Sequence, residues 1–322
     1  MLLYRPEVFQ GNLGNKKYFE GWYFKNVSAD LESVWSLIPG ISLSKEGNHA
    51  FIQVIDGISC RTEYISYPIE QFTYDRKSLY VKIGDSVFTR DHASINIDDE
   101  KIKARGQLFY KNQVRYPKTL LSPGIMGWYS FVPFMECKHG VVSAHHTISG
   151  ELEVNNKVSD FEGGRGYIEK DWGTSFPEAW LWCQANNFSD RDSSLFVSVA
   201  KIPWLGSYFT GLIAFLYVKD KFHTFSTYNN SVVNVLGRTD NEVSLLLENS
   251  ESTLKIRIIQ NGSGKLKAPV SGKMSRIIKE SIDSDVSVEM HSNHGALIFS
   301  DYSRRAGVEI IEKIFDYINQ KN

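Results

Sequence analysis

Cysteine is scarce in this chain of 322 residues, which contains only Cys60, Cys137 and Cys183. They form no CxxC pair, and an odd number cannot all pair internally, which argues against a disulfide framework. The chain also lacks a run of roughly 20 apolar residues, the length that a membrane-spanning helix needs. Its first residues show no basic region followed by a long apolar run. We therefore expect no secretory signal and a cytoplasmic location.

An excess of charge of either sign is absent as well. Lys and Arg total 36 against 37 for Asp and Glu, which gives a formal net charge of −1. This balance offers no electrostatic reason to expect a nucleic-acid partner or an anionic membrane. Several familiar catalytic signatures are missing too: no GxGxxG follows a predicted strand, and the chain has no GxxxxGK[ST] loop and no GxSxG elbow.

Aromatic residues, by contrast, are plentiful, with 16 Tyr and 19 Phe. These residues favour pleated, half-buried surfaces. Short runs rich in Val, Ile, Tyr and Phe recur at a spacing of roughly 8–12 residues, a pattern typical of β-sandwiches and barrels. We predict an all-β chain of two antiparallel barrels or sandwiches in tandem, with domains at 1–160 and 161–322.

Two segments favour a helical period instead. Near the C-terminus, one helix face would carry Ile310, Ile311, Ile314, Phe315 and Ile318, which predicts a short amphipathic helix. A second possible helix covers residues 274–281. Residues 117–133 carry several Pro and Gly with bulky apolar residues between them, which predicts a long ordered loop. Such a loop either caps the core or forms a lid over a ligand pocket.

Two segments combine acids, lysines and tryptophans at unusual density. Residues 163–188 read GGRGYIEKDWGTSFPEAWLWCQANNF, and residues 18–27 read YFEGWYFKNV. Alternate side chains of a strand point to opposite faces. In the first segment this alternation places Tyr167, Glu169 and Asp171 on one face and Lys170 and Trp172 on the other. In the second it groups Glu20, Trp22 and Phe24 apart from Tyr23 and Lys25. We predict that both segments meet at one site for an apolar ligand with a polar head.

The last part of the segment 163–188, beginning at Trp180, also supports a ligand site. Extended backbone would place Trp180, Trp182, Gln184, Asn186 and Phe188 on one face. Aromatic residues that give way to amides suit a cavity whose ligand is apolar with one polar end, because an unpaired buried amide costs about 1–3 kcal/mol. Two interpretations of the charges stay open: ion pairs at the mouth of a barrel, or a functional site.

Histidine does not indicate a metal site. His145 and His146 are adjacent on a predicted strand, so they point to opposite faces and cannot easily share one ion. His291 and His294 lie near a predicted loop, with no Cys and no third His close by in the sequence. We expect no metal, and we expect one of the adjacent pair, taken as His145, to face the site. The alternative for that residue is a hydrogen-bonded core histidine.

The residues at 19–25 (FEGWYFK) and 166–188 (GYIEKDWGTSFPEAWLWCQANNF) resemble signature regions of the tocopherol cyclase family, in its bacterial branch. Residues 120–137 (LLSPGIMGWYSFVPFMEC) and 306–310 (AGVEI) are similar to that family as well. The resemblance runs nearly from end to end. Relatives of this group resemble tandem lipocalin-like β-barrels and carotenoid hydratases, so the resemblance implies two lipocalin-like domains.

The resemblance also implies a reaction. The plant enzymes protonate the double bond of a prenylated quinol, and the phenol oxygen captures the tertiary cation. This chemistry needs a carboxylic acid kept protonated in an apolar pocket and aromatic faces beside the cation. The implied acids are Glu20, Glu169 and Asp171. The implied substrate contacts are Trp22, Tyr23, Lys25, His145, Lys170, Trp172, Trp180, Trp182, Gln184 and Asn186. No cofactor is implied.

Three functions are compatible with these features. The first is a cyclase or hydratase for a prenylated aromatic or isoprenoid lipid, with peripheral membrane contact for substrate access. The second is a non-catalytic lipocalin-like carrier of an apolar small molecule. The third is a structural protein with a packed barrel.

Overall fold

The computed structural model describes residues 2–318, which form two large antiparallel sheets and little helix. The all-β prediction, with two β units in tandem and a short C-terminal helix, is confirmed. The first compact unit combines residues 2–176 with Lys265–Ile278, and the second combines Pro177–Gly264 with residues 279–318. The units divide beyond the boundary expected near residue 160, because the next long strand pairs with strands of the first sheet.

The first sheet is built from twelve of the described strands, which follow one another in the sequence. In sequence order these are β1 (Tyr18–Val27), β2 (Val34–Ser44), β3 (Gly47–Asp56), β4 (Thr62–Pro68), β5 (Phe72–Tyr74), β6 (Tyr80–Ile83), β7 (Ser86–Thr89), β8 (His92–Asp98), β9 (Lys103–Val114), β10 (Cys137–Val154), β11 (Lys157–Asp160) and β12 (Gly164–Gly173). Their order in the sheet is β4-β3-β2-β1-β12-β10-β9-β8-β7-β6-β5, with β11 paired to β10. The first and last strands in the sequence are therefore central neighbours.

The second sheet contains the remaining strands. These are β13 (Trp180–Ala185), β14 (Ser194–Trp204), β15 (Ser207–Val218), β16 (Lys221–Ser226), β17 (Val232–Arg238), β18 (Glu242–Glu248), β19 (Ser252–Ile259), β20 (Gly264–Val270), β21 (Lys273–Ser292) and β22 (Leu297–Ile310). Their order is β16-β15-β14-β13-β22-β21-β19-β18-β17, with β20 paired to β21. The hairpin formed by β20 and the start of β21 belongs to the first compact unit.

Helical structure in the described chain is limited to short turns. They are the 3-10 helices Leu2–Tyr4, Ile69–Gln71, Gly127–Phe131, Thr227–Asn229 and Glu312–Ile314, followed by the α-helix α1 (Phe315–Ile318). No helix within residues 2–318 is long and apolar enough to cross a membrane.

Of the two predicted helices, the one at 274–281 is wrong, and the C-terminal one is shorter than predicted. The segment 274–281 is not a helix but part of β21, in which Met274 and Ile278 are buried while Ile277 is 57% exposed. A spacing of four residues fits a strand as well as a helix, because four is a multiple of the two-residue period. At the C-terminus Ile310 ends β22 and, like Ile311, is partly buried against the core. Ile314, Phe315 and Ile318 are buried in that core.

Each sheet buries one face in an apolar core. In the first unit the core includes Trp22, Phe24, Leu37, Ile52 and Leu108. In the second it includes Leu181, Cys183, Val197, Leu245 and Ile256. We call the core-facing side of the first sheet its inner face and the other side its outer face. Alternation along each strand then decides which side chains reach which face.

The predicted loop at 117–133 lies between β9 and β10 and has a buried base and exposed tips. Ile125, Met126 and Val132 are buried, whereas Leu120 and Leu121 are 86% and 79% exposed. The backbone N–H of His139, on β10, donates to the Met126 sulfur at 3.1 Å. The base of the loop is therefore fixed against β10, while several of its apolar side chains remain in solvent.

Candidate functional site

The two segments singled out in the sequence pair directly in the first sheet. Strands β1 and β12 are antiparallel, with Trp22 opposite Lys170 and Tyr23 opposite Glu169. Residues directly opposite each other in an antiparallel pair share a face. The inner face thus receives Glu20, Trp22, Lys170 and Trp172, and the outer face receives Tyr23, Lys25, Tyr167, Glu169 and Asp171. The predicted alternation within both segments is confirmed.

The inner group contains a fully buried ion pair. Lys170 Nζ lies 2.5 Å from Glu20 Oε1, and both side chains are completely shielded from solvent. The ammonium also lies 4.8 Å from the ring centroids of both Trp22 and Trp172, so it makes two cation–π contacts. Burial lowers the pKa of Lys170, and the Glu20 carboxylate opposes that effect.

The segment before β1 completes this ion pair. The carbonyl oxygens of Pro6 and Val8 accept hydrogen bonds from Lys170 Nζ at 2.9 and 2.5 Å. The backbone N–H groups of Gln10 and Gly11 donate to the Glu20 carboxylate at 2.9 and 3.0 Å, and the Tyr18 hydroxyl donates to it as well. Both oxygens of Glu20 therefore have partners within the first unit. The geometry favours an internal anchor over a position that a substrate could reach.

The outer face carries a histidine between two carboxylates. His139 is opposite Asp171 in the pairing of β10 with β12. Its Nδ1 lies 2.9 Å from Asp171 Oδ1, and its Nε2 lies 3.5 Å from Glu169 Oε2. The Tyr167 hydroxyl donates to that same Glu169 oxygen at 2.6 Å. The four side chains form one continuous polar group. We call His139, Glu169 and Asp171 the outer triad, and Tyr167 is hydrogen-bonded to it.

The electrostatics of the outer triad favour a protonated imidazole. Burial alone would lower the pKa of His139, but the charges of Asp171 and Glu169 outweigh it and raise the pKa to about 9. Burial raises the pKa of the Tyr167 hydroxyl well above its usual value, and the Glu169 charge adds to that rise. At neutral pH the site therefore holds an imidazolium and a neutral phenol beside two carboxyl groups.

The same three residues are the group in the described chain whose geometry suits a metal ion. One donor atom each from His139, Glu169 and Asp171 lies within 4.8 Å of the others. A metal would have to displace the imidazole proton, which the raised pKa opposes. His139 was not predicted from the sequence, because the pairing of β10 with β12 brings it to its partners. Nothing in its local sequence marks it.

The adjacent histidines lie close by on β10 and are both buried. His146 Nδ1 lies 3.0 Å from Ser143 Oγ, and its ring packs against Tyr110 at a centroid distance of 4.7 Å. Burial lowers the pKa of His146 well below its usual value, with the neighbouring His145 contributing. His146 therefore acts as a neutral core histidine, while the substrate contact predicted for His145 stays a prediction.

The remaining predicted contacts belong to the second unit. Leu181, Cys183 and Ala185 of β13 enter its core, so Trp180, Trp182 and Gln184 occupy the opposite face, as predicted. Trp180 Nε1 donates to Glu309 Oε2 at 2.7 Å. The strand ends at Ala185, so the alternation predicted through Phe188 fails, and Phe188 joins the core. A ligand contact for Trp180, Trp182, Gln184 and Asn186 stays a prediction.

Comparisons with known proteins show which family the sequence matches. A family model described as tocopherol cyclase-like matches residues 96–311, which include the outer triad. The probable tocopherol cyclase, chloroplastic, of Oryza sativa subsp. japonica is 28% identical over 110 residues, which are 33% of this chain and 23% of that protein. The tocopherol cyclase, chloroplastic, of Zea mays is 31% identical over 74 residues, 23% of this chain and 16% of that protein. The aligned region thus spans a quarter or less of these relatives.

Solved structures extend the likeness of fold to nearly the whole chain. The crystal structure of CghA superposes with a TM-score of 0.57 at 11% identity, covering 91% of this chain and 88% of that one. CghA with Sch210972 gives a TM-score of 0.55 with the same coverage. At this identity the likeness shows the fold alone. The family model, which covers more than half of the sequence, shows that the chain belongs to the tocopherol cyclase-like family.

Proposed function

We propose that the protein is a cofactor-independent cyclase or hydratase that protonates a double bond of a prenylated aromatic or isoprenoid lipid. The observation that carries the proposal is the placement of Glu169 within reach of both an imidazolium and a phenol hydroxyl. Family membership supports the reaction class. Proton-initiated closure of a ring, or addition of water, changes no oxidation state, so it requires no redox cofactor.

Glu169 is the proposed proton donor. Its carboxylate is paired with His139 in the arrangement described above, and an apolar substrate that displaces water from the site would disfavour that charge, so that Glu169 enters the reaction protonated. Its side chain is only 5% exposed, against 24% for Asp171, so it offers the drier carboxyl group to an apolar substrate. After it gives up its proton, the new carboxylate is stabilised by the His139 imidazolium at 3.5 Å and the Tyr167 hydroxyl at 2.6 Å. Groups already aimed at a charge that develops during the reaction lower its barrier.

Asp171 has a different role in this proposal. Its carboxylate accepts from His139 Nδ1 at 2.9 Å, which orients the ring and keeps it charged. The buried Tyr23 ring lies on the same outer face, opposite Glu169, and its hydroxyl accepts from Ser36 Oγ at 3.0 Å. An aromatic face beside the acid suits the tertiary cation that the first step forms.

The proposed steps balance without an external reagent. The Glu169 O–H bond breaks as a C–H bond forms on the alkene, which leaves a tertiary cation and a carboxylate. The phenol oxygen of the substrate, or a water molecule, then bonds to the cation and loses its proton. That proton returns to Glu169, directly or through water, so the acid is regenerated. The product of ring closure is an isomer of the substrate, and the product of hydration is heavier by one water.

The test is a product assay with purified protein. A panel of prenylated quinols and simple polyenes, dispersed in detergent, is incubated with the protein in D₂O, and products are identified by chromatography and mass spectrometry. We expect one deuterium on the carbon that was protonated. Glu169→Gln should reduce the rate by on the order of 10²–10⁴-fold, the usual contribution of a positioned general acid. His139→Gln should reduce it as well and change the pH profile.

The matched control is Glu153→Gln, which removes an exposed carboxylate from β10. It should leave the rate unchanged. Equal rates for the wild-type protein and Glu169→Gln would refute the assignment of the acid. No product from any member of the panel, together with a lipid retained in native mass spectrometry, would favour a carrier instead.

A further inference from the structure

The loop between β9 and β10 concentrates exposed apolar side chains in one short stretch. Within fifteen residues it exposes five large apolar side chains, among them the two adjacent leucines at 86% and 79%: Leu120, Leu121, Trp128, Phe131 and Phe134. We call this stretch, residues 120–134, the apolar loop. Exposed apolar residues scattered singly are ordinary, but a contiguous group of them marks an interaction site.

The apolar loop is held in place at its base. Ile125 and Val132 are buried, and the Gly127–Phe131 turn gives the middle of the loop a defined conformation. The Trp128 and Tyr129 rings stack at a centroid distance of 4.0 Å. Lys138 Nζ donates to the Ser130 carbonyl at 3.0 Å, which ties the end of the loop to β10. The exposed side chains are therefore displayed on a fixed support.

The charges around the loop are unlike those of the whole chain. Arg115 and Lys118 precede it and Lys138 follows it, against the single acid Glu136. Glu7 lies 3.6 Å from Lys118 Nζ and offsets part of that charge. The segment from 115 to 138 still carries a small positive excess, although the complete chain is balanced. Basic residues that flank exposed Leu, Phe and Trp are the composition of a segment that binds at a lipid–water interface.

We propose that the apolar loop docks the protein on the surface of a lipid bilayer that contains anionic lipids. Leu120, Leu121 and Phe134 would enter the boundary between head groups and acyl chains, Trp128 would lie at the level of the head groups, and Arg115 would face the anionic lipids. The base of the loop contacts His139 through the Met126 sulfur at 3.1 Å. Docking would thus bring the outer triad close to the bilayer that holds its apolar substrate, a consequence that rests on the proposed function.

The binding test uses vesicles of phosphatidylcholine, with and without phosphatidylglycerol, in a flotation assay with the complete chain. Wild-type protein should float with the mixed vesicles and bind pure phosphatidylcholine less. The double variant Leu120→Ser/Leu121→Ser should bind at least tenfold more weakly, because two apolar side chains no longer leave water. The matched control is Leu205→Ser, which removes an 81% exposed leucine outside the loop and should bind as the wild type does. All variants should show unchanged thermal melting.

Three results would overturn the proposal. The first is wild-type protein that binds neither vesicle, and the second is a loop variant that binds as well as Leu205→Ser. The third is self-association of the wild-type protein that the loop variant abolishes, without vesicle binding, which would assign the loop to a second copy of the chain. The proposed reaction is tested separately, because a loop variant that has lost docking should still convert a detergent-dispersed substrate. An inactive wild-type protein that docks would refute the reaction alone.

Discussion

Replacing Lys170 with Met tests the idea that the inner ion pair is an anchor. The change removes a 2.5 Å ion pair, two hydrogen bonds to Pro6 and Val8, and two cation–π contacts, and it leaves Glu20 charged and fully buried. Removing one partner of a buried ion pair costs about 3–5 kcal/mol, because the remaining buried charge has lost the opposite charge beside it. Natural domains are stable by about 5–15 kcal/mol, so Lys170→Met should lose roughly a fifth or more of the stability of the first unit.

The assay is equilibrium unfolding in urea, followed by far-UV circular dichroism and tryptophan fluorescence. The control Lys103→Met breaks an ion pair whose side chains are 72% and 61% exposed, and it should change the free energy of unfolding by less than about 0.5 kcal/mol. Glu20→Gln/Lys170→Met should lose less than the sum of the two single changes, because no charge is left unpaired. A loss below about 1 kcal/mol for Lys170→Met would show that the pair is not an anchor.

Two further predictions concern stability. Because the pKa of His139 rises from 6.5 to about 9 on folding, its charge contributes about 3 kcal/mol that is fully present below pH 6.5 and is lost as the pH rises through 9. Urea titrations across that window should show the decline, and His139→Gln should remove it; parallel pH curves would contradict the ion-pair assignment. A Cβ on Gly166 would lie 2.1 Å from His146 Nε2, so Gly166→Ala should cost roughly 1–3 kcal/mol in thermal unfolding. Gly237→Ala, which meets nothing within 4 Å, is the control and should cost far less; equal losses would show that the contact with His146 is not responsible.

The architecture was largely readable from the sequence because alternation is local. The order Tyr167, Glu169, Asp171 against Lys170, Trp172 is set by the two-residue period of any strand, and the structure keeps it. Turn chemistry is local as well: Asn155 and Asn156 adopt φ values of 51° and 66° in the two-residue turn between β10 and β11. Asparagine tolerates that left-handed backbone better than most residues do.

The different environments of the two glutamates could not be predicted in the same way. Glu20 and Glu169 look alike in sequence, each beside a glycine or lysine and close to a tryptophan. Only the pairing of β1 with β12 shows that one faces the core with Lys170 and the other faces His139. The contribution of His139 depends on the register of β10, which carries irregularities at Ser143. Register depends on contacts between distant segments, and a single sequence does not reveal them.

The hairpin at Lys265–Ile278 affects the order in which the two units can fold during synthesis and the fragments into which the chain can be cut. It completes the first unit through the Gln53 amide, which exchanges hydrogen bonds with Lys267 at 3.0 and 2.9 Å, and through Ser42 Oγ, which donates to the Gly272 carbonyl at 2.7 Å. The ribosome therefore releases most of the second unit before the first can be finished. A fragment that stops at Phe176 would leave Gln53 and Ser42 without these partners, so no single cut in the backbone yields two complete halves.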